Sequence, residues 1–449
     1  MTAVGAAASA EGAPDPYLPG AGDRGFRVVR YELDLDYRVA PNRLAGHARI
    51  RAVAVRDLPV VTLDLSGLRT VKVTVDGRRP RRHRQPPGKL SVHLHQALPA
   101  GRPFEIEVDY QGNPRPIRGR WGEVGWEELG DGVIVAGQPE GAPSWFPCND
   151  RPDDKASYRI SVTAESPYAV VANGTLVERR AHSSRTTWVY EQSQPMATYL
   201  ATVQIGRYIV AESEDRPVRQ LLLTPARLRR AAQYDFGRQP AMITAFQEMF
   251  GPYPFDSYTV VVTDDELDIP LEAQSLSIFG ANHVDGRRGS ERLVAHELAH
   301  QWFGNSLTLG RWRDVWLHEG FACYAEWLWS ERSGGPGAST LARREWQRLR
   351  HLPQDFVLAD PGPDRMFDDR LYKRGALTLH ALRQVLGDTA FFSMLAAWAS
   401  SHRYSTVTTD DFVQHATAAS STADRDRVTS LLGSWLRRPA VPDLPVRAG

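Results

Sequence analysis

Residues 296–300 read His-Glu-Leu-Ala-His, and after eighteen intervening residues Glu319 stands in the phrase WLHEGFACYAEW. On a helix, positions i and i+4 share one face, so His296 and His300 can aim two imidazoles at one metal ion while Glu297 lies beside them. The chain must therefore hold this helix against a second element that supplies another ligand. Catalytic zinc takes three protein ligands and keeps a fourth position for water, and Glu319 on a following helix is placed to be the third. His296, His300 and Glu319 are the candidate ligands of one Zn2+, with Glu297 the candidate base. The competing reading is a helix with two satisfied core histidines, because so short a pattern can arise by chance in a chain with 13 His. A carboxylate at the spacing a third ligand needs weighs against that alternative.

At 449 residues the chain exceeds one compact core and implies two or three domains. Lys and Arg total 54 against 53 Asp and Glu, a balance that offers no electrostatic argument for nucleic acid or an anionic membrane as partner. The one basic cluster, Arg78 to Arg84, lies between Gly77 and Gly88 and reads as a solvated loop. Two cysteines, Cys148 and Cys323, stand far apart and in no metal spacing, which fits a reducing compartment without disulfides. Residues 1–22 read as a flexible leader, lacking the basic and apolar regions of a signal peptide. No stretch approaches the ~20 apolar residues of a membrane span, so the expected location is cytoplasmic.

From residue 23 to 206 the dominant period is two. Tyr31, Leu33, Leu35 and Tyr37 alternate with acidic residues, as do Phe104, Ile106, Val108 and Tyr110. Turn residues separate such runs at sandwich-like spacing, which predicts an all-β domain. Over residues 207–449 a short mixed stretch gives way to helices. Ser290 is placed to cap the helix through the two histidines, with Glu291 favourable in its first turn. The helix carrying Glu319 is expected to begin near Asp314, after a break at Gly304 to Gly310, and another helix opens at Tyr372 with Leu377, Leu382 and Val385 on its apolar face. Trp302, Trp312, Trp316, Trp327 and Trp329 crowd this region and are expected in the core.

The combination of HELAH, WLHEGFACYAEW and LYKRGALTLHALR resembles the aminopeptidase N family of zinc metallopeptidases, the gluzincin aminopeptidases. Further phrases carry the likeness along nearly the whole chain: WFPCNDRPDDKASY from Trp145, PMATYLATVQIGRY from Pro195, GPYPF from Gly251 and SWLRRPAVPDLP near the end. The resemblance implies an N-terminal β-sandwich or saddle domain followed by a thermolysin-like, mainly helical zinc-peptidase domain, in a short form without the C-terminal helical domain of larger members. It implies a zinc aminopeptidase acting on peptides with a free N-terminus. Tyr372 matches the tyrosine that stabilises the oxyanion, Glu272 an amine-binding glutamate, and Glu140 with Gln138 a second amine-binding group. Two departures stand out. Where the family has Gly-x-Met-Glu-Asn at one edge of the cleft, this chain reads Ile269-Pro270-Leu271-Glu272-Ala273, and Arg374 stands where the family often has Lys. The altered edge keeps a thermolysin-type endopeptidase open as an alternative, and a catalytically idle binding module of the same fold is the rival from another class.

Overall fold

A computed structural model describes residues 14–213 and 218–445. The period-two runs become strands because alternate residues share one interior: Tyr31, Leu33, Leu35 and Tyr37 are buried along Phe26–Arg38, and Phe104, Ile106, Val108 and Tyr110 along Pro103–Gly112. Both lie in a seven-stranded sheet of order Thr175–His182, Arg185–Met196, Ala156–Glu165, Phe26–Arg38, Arg43–Ala54, Pro103–Gly112, Arg69–Val75. Register follows the apolar pattern. Leu33 stands opposite Ala48 on its antiparallel neighbour and Ile160 on its parallel one. A three-stranded sheet joins Leu58–Asp64, Lys89–Leu98 and Arg82–Arg84, and a five-stranded one runs Ala169–Ala172, Val203–Gly206, Gly132–Ala136, Gly122–Leu129, Ile117–Gly119. The basic cluster is thus only partly loop, because Arg82–Arg84 forms an exposed edge strand paired with Ser91 to His93.

Sheet membership changes after Gly206. A mixed five-stranded sheet follows, ordered Ile209–Ser213, Arg219–Thr224, Ser257–Val262, Leu276–Phe279, Leu271–Ala273, with Glu272 on its edge strand. Helices then predominate, as expected for a mostly β part followed by a mainly helical one. Three matter for the site: the histidine helix Glu291–Ala299, the glutamate helix Trp316–Arg332 and the tyrosine helix Asp369–Ser401, the last broken at Gly387 where φ is 74°. Trp302, Trp312, Trp316, Trp327 and Trp329 are all buried. Cys148 and Cys323 are buried and unpaired. Among the described residues no helix is long and apolar enough to cross a membrane.

Four local expectations need correction. Ser290 makes no side-chain cap, because its φ of −98° and ψ of 13° are not the extended conformation a capping residue adopts. Glu291 is instead fixed by the Trp329 indole N–H at 3.0 Å and by Arg238 at 3.1 Å. Asp314 ends a 3-10 turn and accepts from Thr409 Oγ1 and N rather than opening the glutamate helix. The tyrosine helix starts three residues before Tyr372, where Asp368 caps it by accepting from Arg370 N at 2.9 Å. The leader also divides: residues 1–13 lie outside the described residues, but residues 14–22 are tied down. Asp15 Oδ2 accepts from Trp312 N at 2.9 Å, and the buried Tyr17 donates to Asp360 Oδ1 at 2.5 Å while accepting from Gly362 N at 2.7 Å.

The glutamate and tyrosine helices meet backbone to backbone at Gly320 and Gly375. A Cβ built on Gly375 would stand 2.6 Å from Gly320 Cα, and one on Gly320 would stand 2.8 Å from Gly375 Cα. Neither position can hold a side chain without separating the helices. Gly375→Ala should therefore destabilise the protein by about 1–3 kcal/mol, the range for overpacking a tight contact. Gly433→Ala is the control: it lies in the helix Arg425–Arg437 with nothing within 4 Å of its added Cβ, and should be neutral or stabilising by up to about 1 kcal/mol. Denaturant unfolding of both variants measures the difference.

Candidate metal centre

The histidine helix places His296 and His300 one turn apart, with ring centroids 4.8 Å from each other. Glu319, near the start of the glutamate helix, approaches both: its Oε2 is 3.4 Å from His296 Nε2 and 3.6 Å from His300 Nε2. Around a tetrahedral zinc with donors at ~2.0–2.1 Å, neighbouring donor atoms stand roughly 3.3 Å apart. The three side chains are buried, both imidazoles stand near that distance from Glu319, and all three donor atoms lie within 4.8 Å of one another.

Each imidazole is oriented through its other nitrogen. His296 Nδ1 lies 2.8 Å from Glu326 Oε1, and His300 Nδ1 lies 3.1 Å from the Phe303 carbonyl. A carbonyl can only accept, and so can an ionised carboxylate, so both Nδ1 atoms carry hydrogen and both Nε2 atoms face Glu319, where a cation could take the place of their protons. This is the arrangement that turns histidine into a metal ligand. Electrostatics agree. Burial opposes a positive charge on His296, yet its bonds to Glu319 and Glu326 carry it up to about 10. Burial likewise opposes charge on His300, but Glu272 and Glu319 raise it to about 9. The same imidazoles hold the Glu319 carboxyl far below the usual range against its own burial. The pocket therefore favours positive charge between the rings.

Glu297 is buried, and its Oε2 has no hydrogen-bond partner among the described residues. Burial raises it and the two imidazoles pull it back, leaving it at about 7. Glu272 stands near it: donor atoms of Glu272, Glu297 and His300 lie within 4.8 Å of one another. Gln138 Nε2 donates to Glu272 Oε1 at 2.7 Å. Tyr372 lies nearly parallel to the His296 ring, 6.1 Å between centroids at 18°. Burial, then Glu319, Glu272 and Glu297, push its phenol well above the usual value, so it stays a proton donor.

Glu140 is not gathered in. Among the described residues it makes no hydrogen bond or ion pair, and the charge that acts on it after burial is Asp64. Arg374 serves the framework and not the metal: its guanidinium donates to the carbonyls of Trp435, Arg438 and Pro439 at the end of a helix. Sequence reasoning missed Glu326, which lies seven residues, two helical turns, after Glu319 on the same face. Burial raises Glu326, but the His296 bond and the nearby charges of Lys373 and Arg292 hold it ionised. Arg292, four residues before His296, binds it at 2.9 Å. That i, i+7 carboxylate was the available signal.

The chain as a whole is similar to known proteins. The family model described as Peptidase family M1 domain matches residues 234–435, and that described as Peptidase M1 N-terminal domain matches residues 28–200. Aminopeptidase M1 of Arabidopsis thaliana is 26% identical over 331 residues, covering 69% of this chain and 37% of its own length. Leucyl aminopeptidase of Saccharolobus solfataricus is 23% identical over 440 residues, covering 93% of this chain and 54% of its own. This chain thus spans about half or less of these curated relatives. Among solved structures, an M1 zinc metallopeptidase from Deinococcus radiodurans superposes with a TM-score of 0.88 at 29% identity, covering 97% of this chain and 99% of that one. A mutant of it bound to a Tyr-Ser-Ala substrate gives 0.88 at 28% identity, with the same coverage.

If Glu326 orients His296, then Glu326→Gln should weaken zinc binding by about 10–100-fold, the usual effect of removing a carboxylate behind a ligating histidine. Competition against a chelator of known affinity measures it, and unchanged affinity would remove Glu326 from the metal centre.

Proposed function

The chain belongs to peptidase family M1, and from that premise we propose that it is a zinc-dependent aminopeptidase removing N-terminal residues from peptides. His296, His300 and Glu319 hold one zinc ion in this reading. The observation that carries it is the unpartnered Oε2 of Glu297, buried beside two imidazoles whose Nε2 atoms converge on Glu319. Buried acceptors are usually satisfied, and this one lies beside the converging imidazoles, where a water or substrate group at the centre would supply its partner. The peptide bound to a related Deinococcus enzyme supports the substrate class. Two buried, unpaired thiols fit a reducing compartment, and we assign the protein to the cytoplasm.

Bound zinc supplies Lewis acidity, bringing the pKa of a water toward ~7 and polarising the carbonyl under attack. Glu297, standing at about 7, accepts the proton released by the attacking water and returns it to the leaving amine. Tyr372 donates its phenolic hydrogen to the oxyanion as it develops, in a setting where burial strengthens that bond. Glu272 receives the substrate ammonium. Gln138 occupies one of its oxygens and so fixes the direction of the other. An acylated N-terminus would present no cation to Glu272 and would leave its charge unpaired, which is how such a site refuses internal peptide bonds.

Glu297→Gln should retain a full complement of zinc while kcat falls by about 10²–10⁴-fold, the contribution of a positioned general base. Metal analysis with turnover of an aminoacyl reporter tests this, and an active zinc-loaded variant would exclude Glu297 as base. Glu272→Ala should raise KM for free-amine reporters and leave the slow hydrolysis of their N-acetylated forms unaltered. Equal losses on both would contradict amine recognition.

A further inference from the structure

The hairpin of strands Ile117–Gly119 and Gly122–Leu129 belongs to the β domain, yet its tip rests on the helical one. Trp121 Nε1 donates to the Pro363 carbonyl at 2.8 Å, and its ring meets Phe367 edge-on with centroids 6.3 Å apart. Arg120 pairs with Asp364 at 2.6 Å. Residues 363–367 lead directly into the helix that carries Tyr372. Behind the tip, Gly119 lies against Glu140: a Cβ there would stand 2.6 Å from Glu140 Oε1. Glu140 is two residues from Gln138, which holds Glu272. At the far end of strand Gly122–Leu129, in its turn to Gly132–Ala136, Gly130 N donates to Asp265 Oδ1 at 3.1 Å, in the loop that runs into the Glu272 strand. Burial, Glu123, Asp265 and Asp268 together raise Glu127, which faces the same loop. The single strand Gly122–Leu129, paired at one end with Ile117–Gly119 and along the rest with Gly132–Ala136, therefore runs from the approach to Glu272, past Glu140, to the approach to Tyr372.

We propose that this hairpin, pinned at Arg120 and Trp121, is the wall that closes the cleft beyond the amine-binding carboxylates and makes Trp121 a specificity-determining residue. The inference rests on the aminopeptidase reading. Glu272 and Gln138 select the ammonium by charge, and the wall refuses anything longer by leaving no room behind it. Charge selection alone admits a dipeptide whose ammonium reaches past Glu272, and a hairpin pinned at its tip, whose longer strand is held again at Gly130, excludes that binding mode. The anchoring contacts are of unequal weight. Arg120 and Asp364 have side chains 52% and 77% exposed, a pairing that contributes little, whereas the Trp121 indole is partly buried and bonded. Strictness is therefore expected to depend mainly on Trp121.

The test uses the full-length zinc-loaded enzyme and three reporters: an alanyl reporter with free amine, its N-acetylated form, and a D-Ala-L-Ala reporter that can be released only by cutting after the second residue. Relative to the free-amine rate, Trp121→Ala should raise the rate on both longer reporters by about tenfold or more, the scale of discrimination one steric contact supplies. Trp121→Phe, which keeps the ring contact, should stay closer to the wild type. The exposed Arg120→Ala and Asp364→Ala variants keep the test decisive should Trp121→Ala fail to fold, with a smaller rise expected in the same direction. Unaltered ratios in every folded variant would overturn the wall. Absence of wild-type turnover on the free-amine reporter would instead overturn the reading beneath it, so the two failures are separable.

Discussion

The crossing of two helices without side chains between them governs the position of everything else in the centre. Glu319 precedes Gly320 by one residue, and Tyr372 precedes Gly375 by three, less than a helical turn. Because Gly320 and Gly375 bring their backbones together, a ligand on one helix and a phenol on the other are held at a separation that no side-chain packing could reproduce. Helix–helix distances of about 8–10 Å are usual when side chains interdigitate, and bare glycine is the way to go below them. The histidine helix then packs on the glutamate helix, and Trp329 locks the two by donating to Glu291. Arg374, beside Gly375, keeps the tyrosine helix in place by filling carbonyls at its far neighbour.

Such a framework must also tolerate its own charge. Glu297, Glu319 and Glu326 are 4%, 3% and 4% exposed, a concentration of buried carboxylates that folding does not accept without cations to match. Arg292 and Lys373 both act on Glu326, so the outermost acid is served by the protein itself. Glu319 and the imidazoles it raises are served from inside. On the proposed reading a divalent cation held by the two imidazoles and the Glu319 carboxylate would complete that balance, whereas a pair of ordinary core histidines would need none of these acids. This concentration of acids, more than the motif, weighs against two merely satisfied core histidines.

The parts of the centre legible in sequence were those set by local periodicity. His296 and His300 share a face because they are four apart on a helix, and alternation along Phe26–Arg38 identified a half-buried strand before any partner was known. Glu326 could have been found by the same reasoning two turns beyond Glu319. Other features were not local. Nothing around Gly320 or Gly375 marks them as partners across 55 residues of chain. Ser290 and Asp314 have the composition of helix starts, but backbone angles and a bond to Thr409 decided otherwise. Residues 14–22 look unstructured by composition and are fixed by contacts with Trp312, Asp360 and Gly362, hundreds of positions away. Glu140 matched a family phrase, yet its neighbours after folding are Asp64 and Gly119.

The β domain is often the part of such a chain taken for scaffold, but the turn behind the histidines argues against that division. Lys155, from the β domain, donates to the carbonyls of Asn305 at 3.0 Å and Ser306 at 2.8 Å, and burial lowers its ammonium to about 7. Asn305 N in turn bonds the His300 carbonyl at 2.9 Å, while Asn305 Nδ2 and Gln301 Nε2 both donate to Ala273 O, next to Glu272. One turn therefore supports the second histidine and the amine-binding strand together, and the β domain holds that turn. Gln138 reaches Glu272 from the same domain by a separate route. The distance between metal and ammonium is what tells a terminal peptide bond from an internal one. On the proposed aminopeptidase reading that distance would be set jointly by both domains, and the choice of substrate end would be a property of their contact.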